Sequence, residues 1–188
     1  PSSETRLTKD SKYPTARITV MGVGGAGGNV INFLIEKKLQ GVEFVSCNTD
    51  AQALSASTAA HKLQLGRTVT KGLGAGSKPE MGKKAAEESM QDIIDTVKHS
   101  NMLFITAGMG GGTGTGAAPV ISGLARERGI LTVGIVTLPF HFEGKHRMQV
   151  AIDGIKNLEN AVDSLIVIPN QRLVTLSEKH ATMSASFK

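Results

Sequence analysis

Short apolar segments rich in Val and Ile alternate along this chain with longer segments whose apolar residues recur at helical spacing. The strand-like segments are Arg17–Val23, Val42–Asn48, Lys62–Leu65, Met102–Ala107, Ile130–Leu138 and Ser164–Pro169. The helical segments between them are Asn29–Lys38, Pro79–His99, Gly116–Arg128 and His146–Val162. The alternation predicts an α/β fold in which a doubly wound, mostly parallel six-stranded sheet carries helices on both faces.

The helix predicted over Pro79–His99 has the clearest amphipathic pattern. The apolar residues that share its buried face are Ala86, Met90, Ile93, Ile94 and Val97,. Pro79 suits the first turn of a helix. A further helix is predicted to begin near 175–177, where Met183 and Phe187 lie four positions apart on one face.

Composition excludes several classes of protein. The 188 residues carry a net charge of +5, but the basic residues form no long run, and a single Tyr with no Trp offers little stacking surface, so nucleic acid is not expected as the primary ligand,. Cys47 is the one cysteine, which excludes an internal disulfide and fits a reducing compartment,. No segment approaches the roughly 18 apolar residues of a spanning helix, so no direct membrane insertion is expected.

Glycine is the residue type that departs most from an average protein. There are 22 glycines, and 14 of them fall in the stretches 22–28, 72–76 and 108–116. Clustered glycines mark places where the backbone turns sharply or approaches another group closely. The clusters therefore predict a binding site.

The first glycine cluster follows the first predicted strand and reads Gly-Val-Gly-Gly-Ala-Gly-Gly-Asn over residues 22–29. It contains the G-x-G-x-x-G spacing between a strand and a helix. Exposed backbone N–H groups and the positive end of the helix dipole favour a bound phosphate. The motif alone is weak, because a glycine-rich turn also permits close packing of a helix on a strand.

The second glycine cluster follows the fourth predicted strand and has six glycines between Gly108 and Gly116. In a sheet of order 3-2-1-4-5-6, the first and fourth strands are neighbours at the point where the strand order reverses, and ligands bind at the carboxyl ends there. Two phosphate-binding loops are therefore predicted to face one crevice.

Polar residues end the other strands at the same edge. Asp50 follows the second strand, where it would bind a ribose hydroxyl in a nicotinamide enzyme, hold Mg²⁺ through water in a nucleotide triphosphatase, or close an Asx turn. The third glycine cluster, 72–76, can offer further N–H groups to a terminal phosphate. Glu143 and Arg147 follow the fifth strand, and Asn170 follows the sixth.

Missing motifs narrow the choice of function. The segment 76–84 lacks the spacing of a G-x-x-x-x-G-K-[ST] loop, which disfavours an ordinary P-loop ATPase,. No G-x-S-x-G motif is present. A nicotinamide-dinucleotide-binding oxidoreductase domain stays open as an alternative, although it rests on the first glycine loop and Asp50 and leaves the second loop unexplained.

Taken together, these motifs resemble the FtsZ family of tubulin-like GTPases. The run Gly-Met-Gly-Gly-Gly-Thr-Gly-Thr-Gly-Ala-Ala-Pro over residues 108–119 is similar to the family's signature loop, and the other motifs stand around it in family order. The resemblance covers about residues 16–173. It implies GTP or GDP with Mg²⁺ as ligands, and a GTPase that polymerises into the filaments of a division ring.

The resemblance also assigns roles to residues. The two glycine loops would hold the phosphates, with Thr113 and Ala75 near the terminal one and Asp50 reaching Mg²⁺ through water. Glu143 would bind ribose, Arg147 the region between ribose and base, Asn29 and Asn170 the guanine edge, and Phe187 the guanine face. The full set is Gly24, Gly25, Ala26, Gly27, Gly28, Asn29, Asp50, Ala75, Gly110, Gly111, Gly112, Thr113, Gly114, Glu143, Arg147, Asn170 and Phe187.

Further expectations concern organisation and setting. Residues 1–15 are expected to be a disordered leader, 16–174 the GTP-binding domain and 175–188 the start of a central helix, with the family's second domain absent. Gln171 stands where the family commonly has Asp. Catalytic carboxylates would come from the next subunit, so this chain alone should hydrolyse GTP slowly. Its partners would be copies of itself and division-ring accessory proteins, in a bacterial cytoplasm or in the stroma or matrix of an organelle.

Overall fold

Six parallel strands form one sheet in the order β3-β2-β1-β4-β5-β6 in the computed structural model, which describes residues 16–170. The strands are β1 (Ile18–Val23), β2 (Val42–Asn48), β3 (His61–Gln64), β4 (Met102–Gly108), β5 (Leu131–Leu138) and β6 (Ser164–Pro169). The predicted fold class and strand order are confirmed.

Seven α-helices occur among the described residues. They are α1 (Gly24–Glu36), α2 (Ala51–Ser55), α3 (Arg67–Thr70), α4 (Pro79–Glu88), α5 (Met90–Val97), α6 (Thr113–Glu127) and α7 (Lys145–Glu159), with one 3₁₀ turn at His141–Glu143. The short helices α2 and α3 were not predicted. The helix expected from residue 175 lies outside the described residues.

The prediction of a single helix over Pro79–His99 is wrong, because the helix is interrupted at Ser89, between α4 and α5. The buried Ser89 hydroxyl accepts a hydrogen bond from the N–H of Gly66 at 2.9 Å, a tertiary contact that the helical spacing does not reveal. Past the break, Ile93 and Val97 stay buried, but Met90 is 42% exposed and does not belong to the predicted buried face.

Side chains alternate along the strands between two hydrophobic cores of unequal size. The larger core includes Met21, Cys47 and Ile105 and lies under α4 to α7, whereas the smaller one includes Val20 and Phe104 and lies under α1. Burial raises the pKa of the Cys47 thiol well above its usual range. No helix among the described residues is both long and apolar enough to cross a membrane.

The central strand β1 pairs with β2 on one side and β4 on the other. Val23, the last residue of β1, lies opposite Ala107 near the end of β4. The loops that follow β1 and β4 therefore leave the sheet side by side, and this register positions the site.

Candidate functional site

The first and second glycine clusters meet at the carboxyl ends of β1 and β4. A Cβ placed on Gly24 would lie 3.2 Å from the backbone nitrogen of Gly114, and a Cβ placed on Gly108 would lie 2.7 Å from the Cβ of Ala26. The backbones of the two loops can approach this closely because these positions carry no side chain. The predicted convergence of the loops is confirmed.

A cavity of about 330 Å³ opens over the two loops. Among the predicted site residues, those that line it are Gly24, Gly25, Ala26, Gly110, Gly111, Gly112, Thr113, Gly114, Glu143, Arg147 and Asn170. The cavity is also lined by Ser77, Thr137 and Pro139, which the sequence did not single out.

Two helices begin at this cavity without a side-chain cap. Neither the N-terminus of α1 nor that of α6 is capped by a side chain among the described residues, and neither helix has an acidic residue in its first turn. The first N–H groups of an α-helix have no partner within the helix, and its N-terminus carries partial positive charge. Two such ends at one cavity provide the N–H groups and the partial positive charge that an anion would need.

Both helices begin earlier than predicted, inside the glycine clusters. Helix α1 begins at Gly24 and not at Asn29, and α6 begins at Thr113 and not at Gly116. Glycine is unfavourable in helix interiors, so a prediction based on helix propensity puts both helix starts too late. The compensating factor is packing: a Cβ on Gly27 would lie 2.5 Å from the carbonyl oxygen of Thr106, so only glycine brings this turn against β4.

The glycines of the two loops fall into two groups. Gly25 and Gly111 face open space, with no atom within 4 Å of an added Cβ. Gly112 and Gly114 are packed instead: a Cβ on Gly112 would lie 2.7 Å from the Cβ of Ala75, and one on Gly114 would lie 2.9 Å from the carbonyl oxygen of Gly108. The open glycines leave room for a ligand, whereas the packed ones shape the loop.

Threonine side chains fix the second loop from within. The Thr115 hydroxyl accepts a hydrogen bond from the N–H of Gly110 at 2.9 Å, and Gly110 has a φ of +107°, which favours glycine. The Thr113 hydroxyl lies 2.6 Å from that of Thr49 at the end of β2. The loop is therefore held in shape before any ligand binds.

Side chains after β5 close the other end of the cavity. Glu143 accepts from the Arg147 guanidinium at 2.9 Å through Oε1 and from the Phe140 N–H at 2.6 Å through Oε2. Arg147 also donates to the Ser77 hydroxyl at 3.4 Å. These contacts connect the segment after β5 to Ser77, the residue that follows the third glycine cluster.

Other predicted residues lie around the cavity and not in its lining. Ala75 is buried beneath Gly112, and Gly27 and Gly28 belong to the first turns of α1. Asn29 is exposed on α1, one turn after Gly25 and on the same side of the helix,. Phe187 and Gln171 lie outside the described residues.

Asp50 has a structural task in addition to any ligand it binds. Its Oδ1 accepts from the N–H groups of Gln52 and Ala53 at 2.9 and 3.1 Å and so caps α2,. Its backbone bridges Leu73 in the third glycine cluster. Residues 16–170 contain no group of three His, Cys, Asp or Glu side chains that could hold a metal ion by themselves.

A second cavity of about 650 Å³ lies between α4, α6 and α7. Its lining mixes Lys78 and Lys83 with Glu80 and Asp153. The two cavities share Ser77, but the larger one lies away from the strand ends, and its charges do not converge on one kind of ligand. The smaller cavity is therefore the candidate site.

Comparison with known proteins finds similar sequences and structures. The sequence matches the family described as "Tubulin/FtsZ family, GTPase domain" over residues 17–178. It is 57% identical to the cell division protein FtsZ of Magnetospirillum gryphiswaldense over 92% of this chain and 31% of that protein. It is 58% identical to the mitochondrial division protein fszA of Dictyostelium discoideum over 88% of this chain and 32% of that protein.

A solved structure is similar over most of the chain. The structure titled "FtsZ dimer, empty", from M. jannaschii, superposes with a TM-score of 0.86 at 44% identity and covers 94% of this chain and 51% of that one. The chain thus spans about a third of the length of the curated relatives it matches. The oxidoreductase alternative, left open by the first glycine loop, is not supported by any of these matches.

Proposed function

This chain belongs to the tubulin/FtsZ family, and from that membership we propose that it is the GTP-binding domain of a GTPase that polymerises into the division ring of a bacterium or an organelle. The observation that carries the proposal is the pair of uncapped helix N-termini, α1 and α6, that open on one glycine-lined cavity. An anion held by both would be the phosphate chain of the nucleotide.

The orientation of the nucleotide follows from the two ends of the cavity. We infer that the phosphates lie over the glycine loops, with the terminal phosphate near Thr113 and the buried Ala75. The ribose would lie at Glu143, whose carboxylate accepts hydrogen bonds from hydroxyl groups, and Arg147 would reach the ribose and base. Asn29, Asn170 and Phe187 would contact the guanine.

Magnesium is the proposed counterion of the phosphates. Mg²⁺ in nucleotide sites is commonly held by phosphate oxygens and water with only one or two carboxylates from the protein. Asp50 suits this arrangement, because both capping hydrogen bonds end on Oδ1 and leave Oδ2 without a partner among the described residues. It would contact the metal through water.

Hydrolysis is proposed for the assembled protein and not for this chain alone. Cleavage of the terminal phosphate needs a positioned water in addition to charge stabilisation. No acidic side chain other than Glu143 lines the described cavity, and Glu143 is engaged by Arg147 and the Phe140 N–H. We infer that a second copy supplies the water-positioning carboxylates from a region beyond these 188 residues.

Self-association is the proposed partner interaction. Phe142 stacks on Phe140 with ring centroids 5.0 Å apart, yet it is 83% exposed beside Glu143 at the cavity. An exposed aromatic side chain at the edge of a binding site suits a contact with another copy. Division-ring accessory proteins would be further partners, at the division site of a bacterial cytoplasm or in an organelle's stroma or matrix.

Calorimetry tests the ligand. We expect the chain to bind GTP and GDP well above ATP and NAD. Equal affinity for ATP and GTP, or a preference for NAD, would contradict the assignment.

Phosphate release tests the division of labour between copies. We expect this chain alone to hydrolyse GTP barely above background and to form no long filaments in sedimentation. Addition of a full-length member of the family should raise turnover or shorten that protein's filaments. Rapid hydrolysis by the isolated chain would show that the catalytic group lies within residues 1–188.

A further inference from the structure

The end of β2 reaches the second glycine loop through one pair of hydroxyl groups. Thr49 Oγ1 lies 2.6 Å from Thr113 Oγ1, and the two residues are 64 positions apart in the chain. Thr49 is completely buried, whereas Thr113 is the first residue of α6 and lines the anion-binding cavity. Thr49 therefore cannot touch a ligand itself, but it touches a group that can.

The chemistry of hydroxyl groups determines which member of this pair donates the hydrogen bond when an anion is bound. Each threonine hydroxyl has one proton to donate and oxygen lone pairs that accept. When Thr113 donates its proton to an anion in the cavity, its contact with Thr49 is a hydrogen bond only if Thr49 is the donor. The two hydroxyls then form a chain that ends on the anion, and each bond in such a chain strengthens the next.

We propose that Thr49 is a positioning residue that orients the Thr113 hydroxyl toward the terminal phosphate of the bound nucleotide. The proposal rests on the proposed function, because it needs a nucleotide in the cavity. Thr49 is itself held in place: its carbonyl oxygen accepts from the Thr70 hydroxyl at 3.4 Å, and the same hydroxyl donates to the carbonyl of Gly66 at 3.1 Å.

This arrangement gives Thr49 an effect on nucleotide selectivity. In the proposed orientation, the phosphates shared by GDP and GTP would contact the backbone of the glycine loops, and only the terminal phosphate of GTP would reach the Thr113 hydroxyl. Loss of the Thr49 donor should therefore weaken the binding of GTP and leave the binding of GDP nearly unchanged. A side chain that only maintained the fold would weaken both nucleotides together.

The test compares Thr49→Val, which keeps the shape and removes the hydroxyl, with Thr49→Ser, which keeps the hydroxyl. Thr19→Val is a matched control, because Thr19 lies on β1 away from the cavity, and its buried hydroxyl lies 2.5 Å from that of Ser100. Calorimetry measures the affinity of each variant for GDP and for a non-hydrolysable GTP analogue, and thermal denaturation measures stability.

We expect Thr49→Val to lower affinity for the analogue about five- to tenfold, the typical effect of one lost hydrogen bond, and to change GDP affinity less than about twofold. Thr49→Ser should bind as the unmodified chain does, and Thr19→Val should lose stability without a change in the ratio of the two affinities. Adding Thr49→Val to Thr113→Val should cause no further loss.

Two results would overturn the inference. One is an equal loss of affinity for GDP and for the analogue in Thr49→Val. The other is an unchanged affinity for both. An unmodified chain that binds no guanine nucleotide would instead overturn the proposed function, and this is seen before any variant is made.

Discussion

The two ends of the candidate site are built in different ways. At the end proposed to hold the phosphates, the cavity is formed mostly by backbone: two helix N-termini and their glycines face it, and the glycine loops pack directly on one another. At the end proposed to hold the ribose, side chains form the lining, and those of Glu143 and Arg147 are 25% and 41% exposed. The first end is fixed by the fold, and the second lies at its surface.

This difference determines how each end responds to substitution. Substitution of a packed glycine affects the stability of the fold more than it affects ligand contacts, because the neighbouring backbone atoms cannot move away. A change in an exposed side chain removes one contact and leaves the fold intact. Variants can therefore separate stability, phosphate binding and recognition of the nucleoside.

The largest expected effect is at Gly112. Its Cβ would lie 2.7 Å from that of Ala75 and 2.8 Å from the backbone nitrogen of Lys78, so Gly112→Val overpacks a rigid contact. We expect the free energy of unfolding to fall by about 3 kcal/mol or more. Urea denaturation followed by circular dichroism measures it. An unchanged midpoint would show that the loop is not packed as described.

Gly111→Val should separate binding from folding. The position faces open space, with no atom within 4 Å of an added Cβ, so the fold should keep its stability while the side chain occupies the cavity. We expect GTP and GDP affinity to fall on the order of 100-fold, since the ligand loses several phosphate contacts. Calorimetry measures the affinity, and thermal denaturation checks that stability is unchanged.

The control for this substitution is Gly123→Val, which also faces open space but lies farther along α6, outside the lining of the cavity. It should bind nucleotide normally. A Gly111→Val protein that binds as well as this control would remove the second loop from the site.

At the ribose end, Glu143→Ala should have a smaller effect that does not depend on the number of phosphates. It removes the partner of Arg147 and the acceptor of the Phe140 N–H. We expect affinity for GTP and GDP to fall together, by about tenfold. Asp95→Ala, which breaks the exposed ion pair with Lys98, is the control. A loss confined to GTP would place Glu143 at the phosphates.

The smallest expected effect is at Asn29, exposed on α1 beyond the lining of the cavity. If its amide contacts the guanine edge, Asn29→Ala should lower the preference for GTP over ATP by about fivefold. Competition binding measures this ratio, and Asn157→Ala, an exposed amide on α7, serves as the control. An unchanged ratio would assign guanine recognition to other residues.

The same contrast explains what the sequence could predict. The convergence of the two glycine loops was predictable because clustered glycines at two strand ends are visible in the sequence. Glu143 and Arg147 were found because they follow β5 at the same edge of the sheet. The strand order followed from the general rule for doubly wound sheets, and the alternation of strands and helices gave the fold class.

Tertiary contacts were not predictable. Thr49 and Thr113 are 64 positions apart, and nothing local to Thr49 indicates that their hydroxyls meet. Ser77 was overlooked because its contact with Arg147 depends on how two separate loops lie on the sheet. The break at Ser89 has the same origin, since the hydrogen bond to Gly66 comes from another part of the chain.

The pairing of β1 with β4 has a consequence for folding during synthesis. The backbone N–H of Arg17, just before β1, donates to the side-chain oxygen of Asn101, 84 positions later, so the centre of the sheet stays incomplete until more than half of these 188 residues have been synthesised. Such long-range pairing slows folding. The cavity is also lined by Arg147 from α7, so its lining is complete only after that helix is made. A ligand that binds only the finished fold stabilises only that state. Cellular nucleotide would thus favour completed domains over partly made ones and protect them from proteolysis.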